Sequence, residues 1–204
     1  MKLNWAERWV VNNPLRVIHQ RIEISWFKKA MPLKPGCTLL EVGCGRGAGA
    51  RLILKAFRPS ALHCMDIDIQ MIRKARMYLS PEELQVVRPH ASDLIALPHK
   101  DGTVDAVFDF GALHHVPDWR RALKEISRVL KPGGVFYMEE LYPALYQNII
   151  TRHILVHPNK DRFLSEDLRN AIHQSNLTLR NSVENRGLGI LGVAVKNNQS
   201  DKLG

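Results

Sequence analysis

The chain has 204 residues, of which 45% are apolar and 24% charged, and these ordinary globular proportions exclude disordered, coiled-coil and collagen-like proteins. Its longest uncharged apolar stretches fall short of the ~18–20 residues that span a bilayer, and its N-terminus lacks the apolar core of a signal peptide. We therefore expect a cytoplasmic protein with one main domain. Three cysteines without a CxxC pair predict free thiols and no metal site.

The formal net charge of +9 is unevenly distributed. Residues 1–35 carry seven Lys or Arg against two Glu, which gives this segment a net charge of +5. A basic segment of this kind could attract phosphates, an acidic substrate or the head groups of an anionic membrane, or it could be a solvated helix face. Both interpretations stay open.

The predicted elements begin with a helix at Asn13-Pro14, a typical cap and first turn, in which Leu15, Ile18, Ile22 and Trp26 recur at helical spacing. From Thr38 onward, short apolar runs alternate with helical stretches. Strands are predicted at 38–43, 61–66, 84–88, 104–111 and from Gly133-Gly134. Helices are predicted after the first strand to about Phe57, and at 69–79, 118–130 and 165–176.

This alternation predicts βαβ units and therefore a doubly wound, Rossmann-like parallel α/β sheet with helices on both faces. Residues 177–186 and 188–196 are predicted as two closing strands separated only by a tight turn at Gly187. Because that turn is too short for a crossover helix, we expect an antiparallel C-terminal hairpin.

The strongest motif is LLEVGCGRG at 39–47, where the first strand meets a helix. Its glycines permit a sharp turn and the close approach of a ligand to the backbone. The pattern satisfies G-x-G-x-x-A, and Asp66 ends the next strand about 20 residues later, where it can bind ribose hydroxyls. Taken alone, these features fit NAD or another adenosine-bearing cofactor.

Four ordered motifs resemble those of class I S-adenosylmethionine-dependent methyltransferases, of the small-molecule type that includes the ubiquinone and menaquinone biosynthesis methylases. They are LLEVGCGRGAGARLI, MDIDIQMIRKAR, ASDLIALPHKDGTVDAVFDFGALHHVPD and ALKEISRVLKPGGVFYMEE, and they extend from about residue 38 to 140. The resemblance implies a seven-stranded sheet of order 3-2-1-4-5-7-6 with an antiparallel strand 7. It also implies S-adenosyl-L-methionine as cofactor and S-adenosyl-L-homocysteine as product.

The resemblance further implies roles for individual residues. Glu41 and the Gly43–Gly47 backbone are expected to hold the methionine end, and Asp66 the ribose. Asp93 is expected to accept the adenine amino group. The full set of expected cofactor-binding residues is Glu41, Gly43, Cys44, Gly45, Gly47, Asp66, Ile67, Ser92, Asp93, Leu94, Phe110 and Gly111.

Methyl transfer needs a general base only when the acceptor is protonated at working pH. His114 and His115 are the catalytic candidates because they follow the fourth strand, at the edge where α/β proteins bind ligands. One of the two could instead position the loop through a local hydrogen bond. Tyr142, Tyr146, His19 and Trp26 are weaker candidates for a substrate pocket.

The acceptor is expected to be a small, apolar or amphipathic molecule. The segment after the fourth strand has neither the Asn/Asp-Pro-Pro-aromatic pattern of nucleobase amino-methylases nor a cysteine, which argues against nucleic acid. We expect residues 1–36 to form an N-terminal helical extension or lid, 37–204 a single domain, and 141–165 a substrate-lid insert. The alternatives are a non-catalytic cofactor-binding protein and an NAD(P)-binding oxidoreductase.

Overall fold

A computed structural model of the chain describes residues 14–146, 162–185 and 187–198. Its strands are β1 (Thr38–Val42), β2 (Ala61–Asp66), β3 (Val87–Ala91), β4 (Val104–Phe110), β5 (Leu130–Leu141), β6 (Leu177–Asn185) and β7 (Gly189–Lys196). Its α-helices are α1 (Pro14–Ala30), α2 (Ala48–Phe57), α3 (Ile69–Tyr78), α4 (Glu83–Val86), α5 (Trp119–Val129), α6 (Pro143–Tyr146) and α7 (Ser165–Gln174), and a 3₁₀ turn spans Leu113–His115.

The seven strands form one sheet of order β3-β2-β1-β4-β5-β7-β6. Strands β1 to β5 are parallel, and β7 runs antiparallel to both of its neighbours, β5 and β6. The predicted fold class, strand order and C-terminal hairpin are therefore confirmed. β2 and β4 lie on opposite sides of β1, so the loops that follow β1 and β4 lead away from each other. A crevice therefore opens between these two loops.

Each face of the sheet is covered by its own apolar core, because successive side chains of a strand point to opposite faces. In β1, Leu40 joins a core with helices α5 and α7, whereas Leu39 joins the core under α1 and α2. Helix α1 packs on this second face through Phe27, whose ring lies 5.2 Å from that of Tyr137. The N-terminal helix is thus anchored directly on the sheet.

Two strand boundaries predicted from the sequence are wrong. The apolar run predicted as a strand at 84–88 begins as helix α4, which Glu83 stabilises by accepting the Ser80 amide, and β3 follows at Val87–Ala91. Pro89 fits inside β3 because this strand lies at the sheet edge. Strand β5 begins at Leu130 rather than at the glycines, which lie beside an irregularity in its pairing with β4.

None of the helices in the described ranges combines the length and apolar character needed to cross a membrane.

Candidate functional site

A cavity of about 380 Å³ lies at the carboxyl ends of β1 to β4. The loops after these strands form most of its wall, and helix α3 contributes one side chain. The lining residues are Gly43, Gly45, Met65, Asp66, Ile67, Met71, Ser92, Asp93, Leu94, Ile95, Phe110, Gly111, Ala112, His115, Val116, Pro117 and Asp118. Nine of the twelve expected cofactor-binding residues belong to this set.

The glycine loop is shaped by close backbone contacts. Gly43 has a φ of +66°, and a Cβ at this position would overlap with the side chain of Ala112, so the loops after β1 and β4 touch here. A Cβ at Gly49 would overlap with the Glu41 carboxyl, which allows α2 to pack directly on that group. The glycines therefore bring β1, β4 and α2 together at the base of the cavity.

Three amides of the loop are already used within the protein. The Cys44 amide donates to Met65 O (2.9 Å), the Gly47 amide to Cys44 O (2.9 Å) and the Gly45 amide to Asp66 Oδ2 (3.0 Å). That the Gly43–Gly47 backbone holds the methionine end of the cofactor stays a prediction. Cys44 and Gly47 do not line the cavity, and the Cys44 side chain is buried.

Asp66 lies at the end of β2 and lines the cavity. Its Oδ2 accepts the Gly45 amide, and its Oδ1 accepts the Asp68 amide at 2.8 Å. Burial raises the pKa of Asp66 above its ordinary value, while these two amides oppose the shift. Because a carboxylate offers about four acceptor positions, Asp66 keeps acceptor capacity for two ligand hydroxyls.

The wall after β3 combines polar and apolar groups. Ser92, Asp93 and Leu94 all line the cavity, as does Ile67, which is 47% exposed. Asp93 Oδ1 also accepts the Ile95 amide at 3.2 Å. Asp93 thus forms a local turn, and the same carboxylate remains available to a ligand donor.

Glu41 does not reach the cavity wall. Its carboxyl is 1% exposed, lies behind the loop against Gly49, and accepts the Ala50 amide. Burial raises the pKa of Glu41 well above its ordinary value. Direct contact with a methionine ammonium group stays a prediction, whereas a hydrogen bond from the first turn of α2 to Glu41 is observed.

The loop after β4 is held by two buried carboxyl groups. Glu140 accepts the amides of Leu113 (2.9 Å) and His114 (3.1 Å), and Asp109 accepts the amide of Ala112 (2.7 Å). Burial raises the pKa of both carboxyl groups, that of Glu140 to about 8. The two acids thus hold the loop through three backbone amides from the interior of the protein.

The two candidate histidines have different environments. His114 is 3% exposed, and its Nδ1 lies 2.7 Å from Glu140 Oε2. Burial lowers the pKa of His114 to about 4, so its ring is neutral. His115 lines the cavity, and His114 does not. His114 thus helps to hold the loop in place, and His115 is the histidine that lines the cavity.

An ion-pair network that the sequence analysis missed lies beside this loop. Arg16 of α1 donates to Glu23 Oε1 (2.8 Å), to Glu139 Oε2 (2.8 Å) and to Phe110 O (3.1 Å). Burial and the nearby Glu139 raise the pKa of Glu23 to about 7, although Arg16 opposes the shift. The Glu139 carboxylate lies against Gly111, which lines the cavity. In the sequence, the two adjacent acidic residues near the end of β5 were the signal that could have indicated this network.

The weaker substrate-pocket candidates do not line the cavity. Tyr142 is buried in the core and donates its hydroxyl hydrogen to Glu184, and Trp26 and His19 lie on α1. The Tyr146 side chain and most of the predicted lid at 141–165 lie outside the described residues, as do residues 1–13. At the far end of that insert, Arg162 donates to His114 O.

Among the described residues, no group of three or more His, Cys, Asp or Glu side chains is arranged to hold a metal ion. Cys37, Cys44 and Cys64 are free thiols.

Comparison with known proteins gives a family match that spans the cavity. Residues 40–138 match the model described as a methyltransferase domain. The chain is 36% identical over 118 residues to a sterol 24-C-methyltransferase of Gibberella zeae, which covers 57% of this chain and 31% of that protein. It is 35% identical over 108 residues to a fatty-acid O-methyltransferase of Mycolicibacterium smegmatis, covering 53% of this chain and 38% of that protein. The chain thus spans about a third of the length of these relatives.

Solved structures share the fold. A SAM-dependent methyltransferase from Aquifex aeolicus superposes with a TM-score of 0.71 at 18% identity, over 96% of this chain and 100% of that one. An S-adenosylmethionine-dependent methyltransferase from Mesorhizobium loti gives a TM-score of 0.69 at 17% identity, over 84% and 96% of the two chains. Residues 40–138 thus match a methyltransferase domain in sequence, and the chain shares the fold of S-adenosylmethionine-dependent methyltransferases.

Proposed function

We propose that this chain transfers the methyl group of S-adenosylmethionine to a small apolar or amphipathic acceptor. The observation that carries this proposal is the cavity at the carboxyl ends of β1 to β4, where Asp66 and Asp93 stand in an otherwise mainly apolar wall. The curated relatives named above act on sterols and fatty acids, which supports an acceptor of lipid-like chemistry.

The residues of the cavity fit the cofactor. Each oxygen of Asp66 accepts one amide and has a lone pair left, so the carboxylate can accept both ribose hydroxyls without losing its own contacts. Ile67 and Leu94 offer apolar surface for the adenine ring, and Asp93 offers an acceptor for the adenine amino group. Gly43 keeps the space free at the point where the loops after β1 and β4 meet.

The reacting end of the site lies by the loop after β4. S-adenosylmethionine, when bound, supplies a methyl group activated on a positively charged sulfur. Phe110 and Gly111 are proposed to line this end, and His115 to orient the acceptor or take its proton. His114 is proposed as a positioning residue, because its ring is buried against Glu140 rather than exposed to a ligand.

The acceptor is proposed to bind beneath two covers, the N-terminal segment 1–36 and the insert 141–165. Helix α1 supports this proposal because Arg16 bonds to Phe110 O and Glu139 at the edge of the site. Arg162 supports it from the other side through its hydrogen bond to His114 O. Such covers would hold the acceptor in line with the methyl group, and they would also exclude water from the site.

The test is transfer of a labelled methyl group from S-adenosylmethionine to a panel of long-chain fatty acids, sterols, quinol precursors and water-soluble phenols. We expect labelling of at least one apolar acceptor and a marked loss of labelling in Asp66→Asn. Labelling of only water-soluble acceptors would contradict the proposed acceptor class. Tight cofactor binding without transfer to any acceptor would instead favour the non-catalytic cofactor-binding alternative.

A further inference from the structure

The outward face of α1 exposes apolar side chains in a regular row. Ile18 is 53% exposed and Ile22 is 63% exposed, and the half-buried Trp26 continues the row at the same four-residue spacing. Residues four apart lie on one side of a helix, so these three side chains form a continuous strip. A shallow groove runs along the strip, lined by Ile18, Arg21, Ile22, Ser25, Trp26 and Lys29.

The charged side chains beside this strip are all basic. Arg21 and Lys29 line the groove, and the exposed Lys28 lies next to it. The single acidic residue of α1, Glu23, points to the opposite side, where it is buried and paired with Arg16. The outward face of α1 therefore combines apolar surface with three positive charges that no acid on the same helix face neutralises.

An apolar strip flanked by positive charges favours one class of binding partner over others. An anionic lipid surface binds both the apolar and the basic side chains. The apolar side chains enter the boundary between head groups and acyl chains, while Lys and Arg contact lipid phosphates. A nucleic acid attracts the positive charges through its phosphates, but it offers no comparable apolar surface to exposed isoleucines. Charge and apolarity together thus favour lipid over nucleic acid as the occupant.

The strip also begins next to the active site. Arg16, one turn or less from Ile18, points inward from the same helix to Phe110 O and Glu139. A surface docked on α1 would accordingly lie near the edge of the sheet where the cavity opens.

We propose that the outward face of α1, defined by Ile18, Arg21, Ile22, Trp26, Lys28 and Lys29, docks the protein on an anionic lipid surface. The inference rests on the proposed function only in that docking would bring a lipid-like acceptor to the site. Vesicle binding is measured without cofactor or acceptor, so failure of docking and failure of methyl transfer are separate results.

The test uses the full chain with vesicles of phosphatidylcholine alone or with roughly 30 mol% phosphatidylserine. We expect co-sedimentation with the anionic vesicles, little with the neutral ones, and a steep loss between about 0.1 and 0.5 M salt as screening increases. Equal binding to both vesicle types, or none to either, would overturn the proposal.

Two double variants test the two features of the face separately. Arg21→Gln with Lys29→Gln removes two cations, each worth about five-fold in affinity near an anionic surface, so a loss of more than about ten-fold is expected. Ile18→Ser with Ile22→Ser is expected to weaken binding by at least about ten-fold through lost apolar contact. The matched controls, Arg73→Gln with Lys74→Gln and Met77→Ser with Val183→Ser, change exposed residues elsewhere and should bind as the parent protein does.

The melting temperature and the oligomeric state of each variant are recorded alongside vesicle binding. If the isoleucine variant has a lower melting temperature, the strip is covered by another segment of this chain. If the variant loses self-association, the strip is covered by a second copy. In either case the proposal is wrong. If a nucleic-acid oligonucleotide binds more tightly than anionic vesicles and the isoleucine variant binds it normally, the face is a nucleic-acid site instead.

Discussion

Asp66 is the side chain on which cofactor binding depends most in this account. Replacing it with Asn removes the charge and one acceptor oxygen while keeping an acceptor for one of the two amides now bound. Because a hydrogen bond to a charged group is worth about 1.5–3 kcal/mol, we expect the Kd for S-adenosylmethionine to rise about 10- to 100-fold. Calorimetric titration measures this, with the exposed Glu166→Gln as control. An unchanged Kd in Asp66→Asn would show that the ribose has another partner.

Glu140 is the residue that fixes the loop after β4. Gln at this position cannot accept all three hydrogen bonds that the carboxylate receives from Leu113 and His114. We expect Glu140→Gln to lower the free energy of unfolding by about 1–3 kcal/mol and the rate of methyl transfer about ten-fold or more through misalignment.

Urea unfolding and single-turnover transfer measure these two effects of Glu140→Gln, with the fully exposed Glu82→Gln as control. A variant that keeps its stability but loses activity would show that Glu140 acts on the reaction itself. Such a result would contradict the positioning role.

His99 provides a pH test at a residue that does not line the cavity. Its ring packs against His63 at 4.8 Å and against His90 at 5.7 Å. Burial, followed by the two neighbouring histidines and Arg128, lowers the pKa of His99 from 6.5 to about 4. Between these pH values the unfolded chain binds a proton that the folded chain does not, so the stability present above pH 6.5 is lost progressively toward pH 4.

His99→Gln should therefore lose less stability than the parent protein when the pH falls from about 7 to about 5. The comparison is the shift in urea midpoint between the two pH values, with the exposed His173→Gln as control. Equal shifts in parent and His99→Gln would mean that His99 titrates normally in the folded protein.

At the scale of elements, α1 is connected to the site through Arg16. Arg16→Gln leaves the buried carboxyl groups of Glu23 and Glu139 without this cation, although the Arg16 side chain itself keeps partial contact with solvent. We expect a loss of about 1–3 kcal/mol, less than for a fully buried pair. Because Arg16 anchors the helix, the loss should appear first as faster amide exchange along α1.

Arg21→Gln is the matched control for Arg16→Gln, since Arg21 lies on the same helix but faces outward. The two variants could instead show equally slow amide exchange along α1. That result would mean that apolar packing of Phe27 anchors the helix without Arg16.

Most elements could be predicted because their apolar runs end at glycine or proline. β1 and β4 are such runs, and β2 begins just after Pro59 and Ser60. Their order along the chain, with helices between them, predicts a parallel sheet. The start of β3 could not be predicted, because a short apolar run is compatible with a helical turn as well as with a strand. The pairing of Arg16 with Glu139, 123 residues apart, could not be predicted either, since it depends on how α1 crosses the sheet.

At the site, the sequence predicted which loops meet but not which side chains face the cavity. Asp66, Ile67, Asp93 and Gly111 line it as expected. Glu41 and His114 are turned into the protein by partners from other elements, Gly49 on α2 and Glu140 on β5. A motif gives the position of such residues along a strand, whereas burial by a distant element decides their contacts.

At the scale of the whole molecule, a ligand that binds only the folded state stabilises it by mass action. S-adenosylhomocysteine at about 100 times its Kd should add about 2.7 kcal/mol, which raises the melting temperature of a chain of this size by about 5–10 °C. A thermal melt with and without ligand measures this. Asp66→Asn should show a much smaller rise at the same ligand concentration, and an equal rise would place the ligand elsewhere.

The most direct test of the central claim is calorimetric titration of the full chain with S-adenosylmethionine, S-adenosylhomocysteine and NAD in parallel. The account predicts that the two adenosyl sulfur compounds bind with a Kd on the order of micromolar, close to −8 kcal/mol, and that NAD does not bind. Binding of NAD alone would contradict the account, because the glycine loop and Asp66 would then belong to a dinucleotide site.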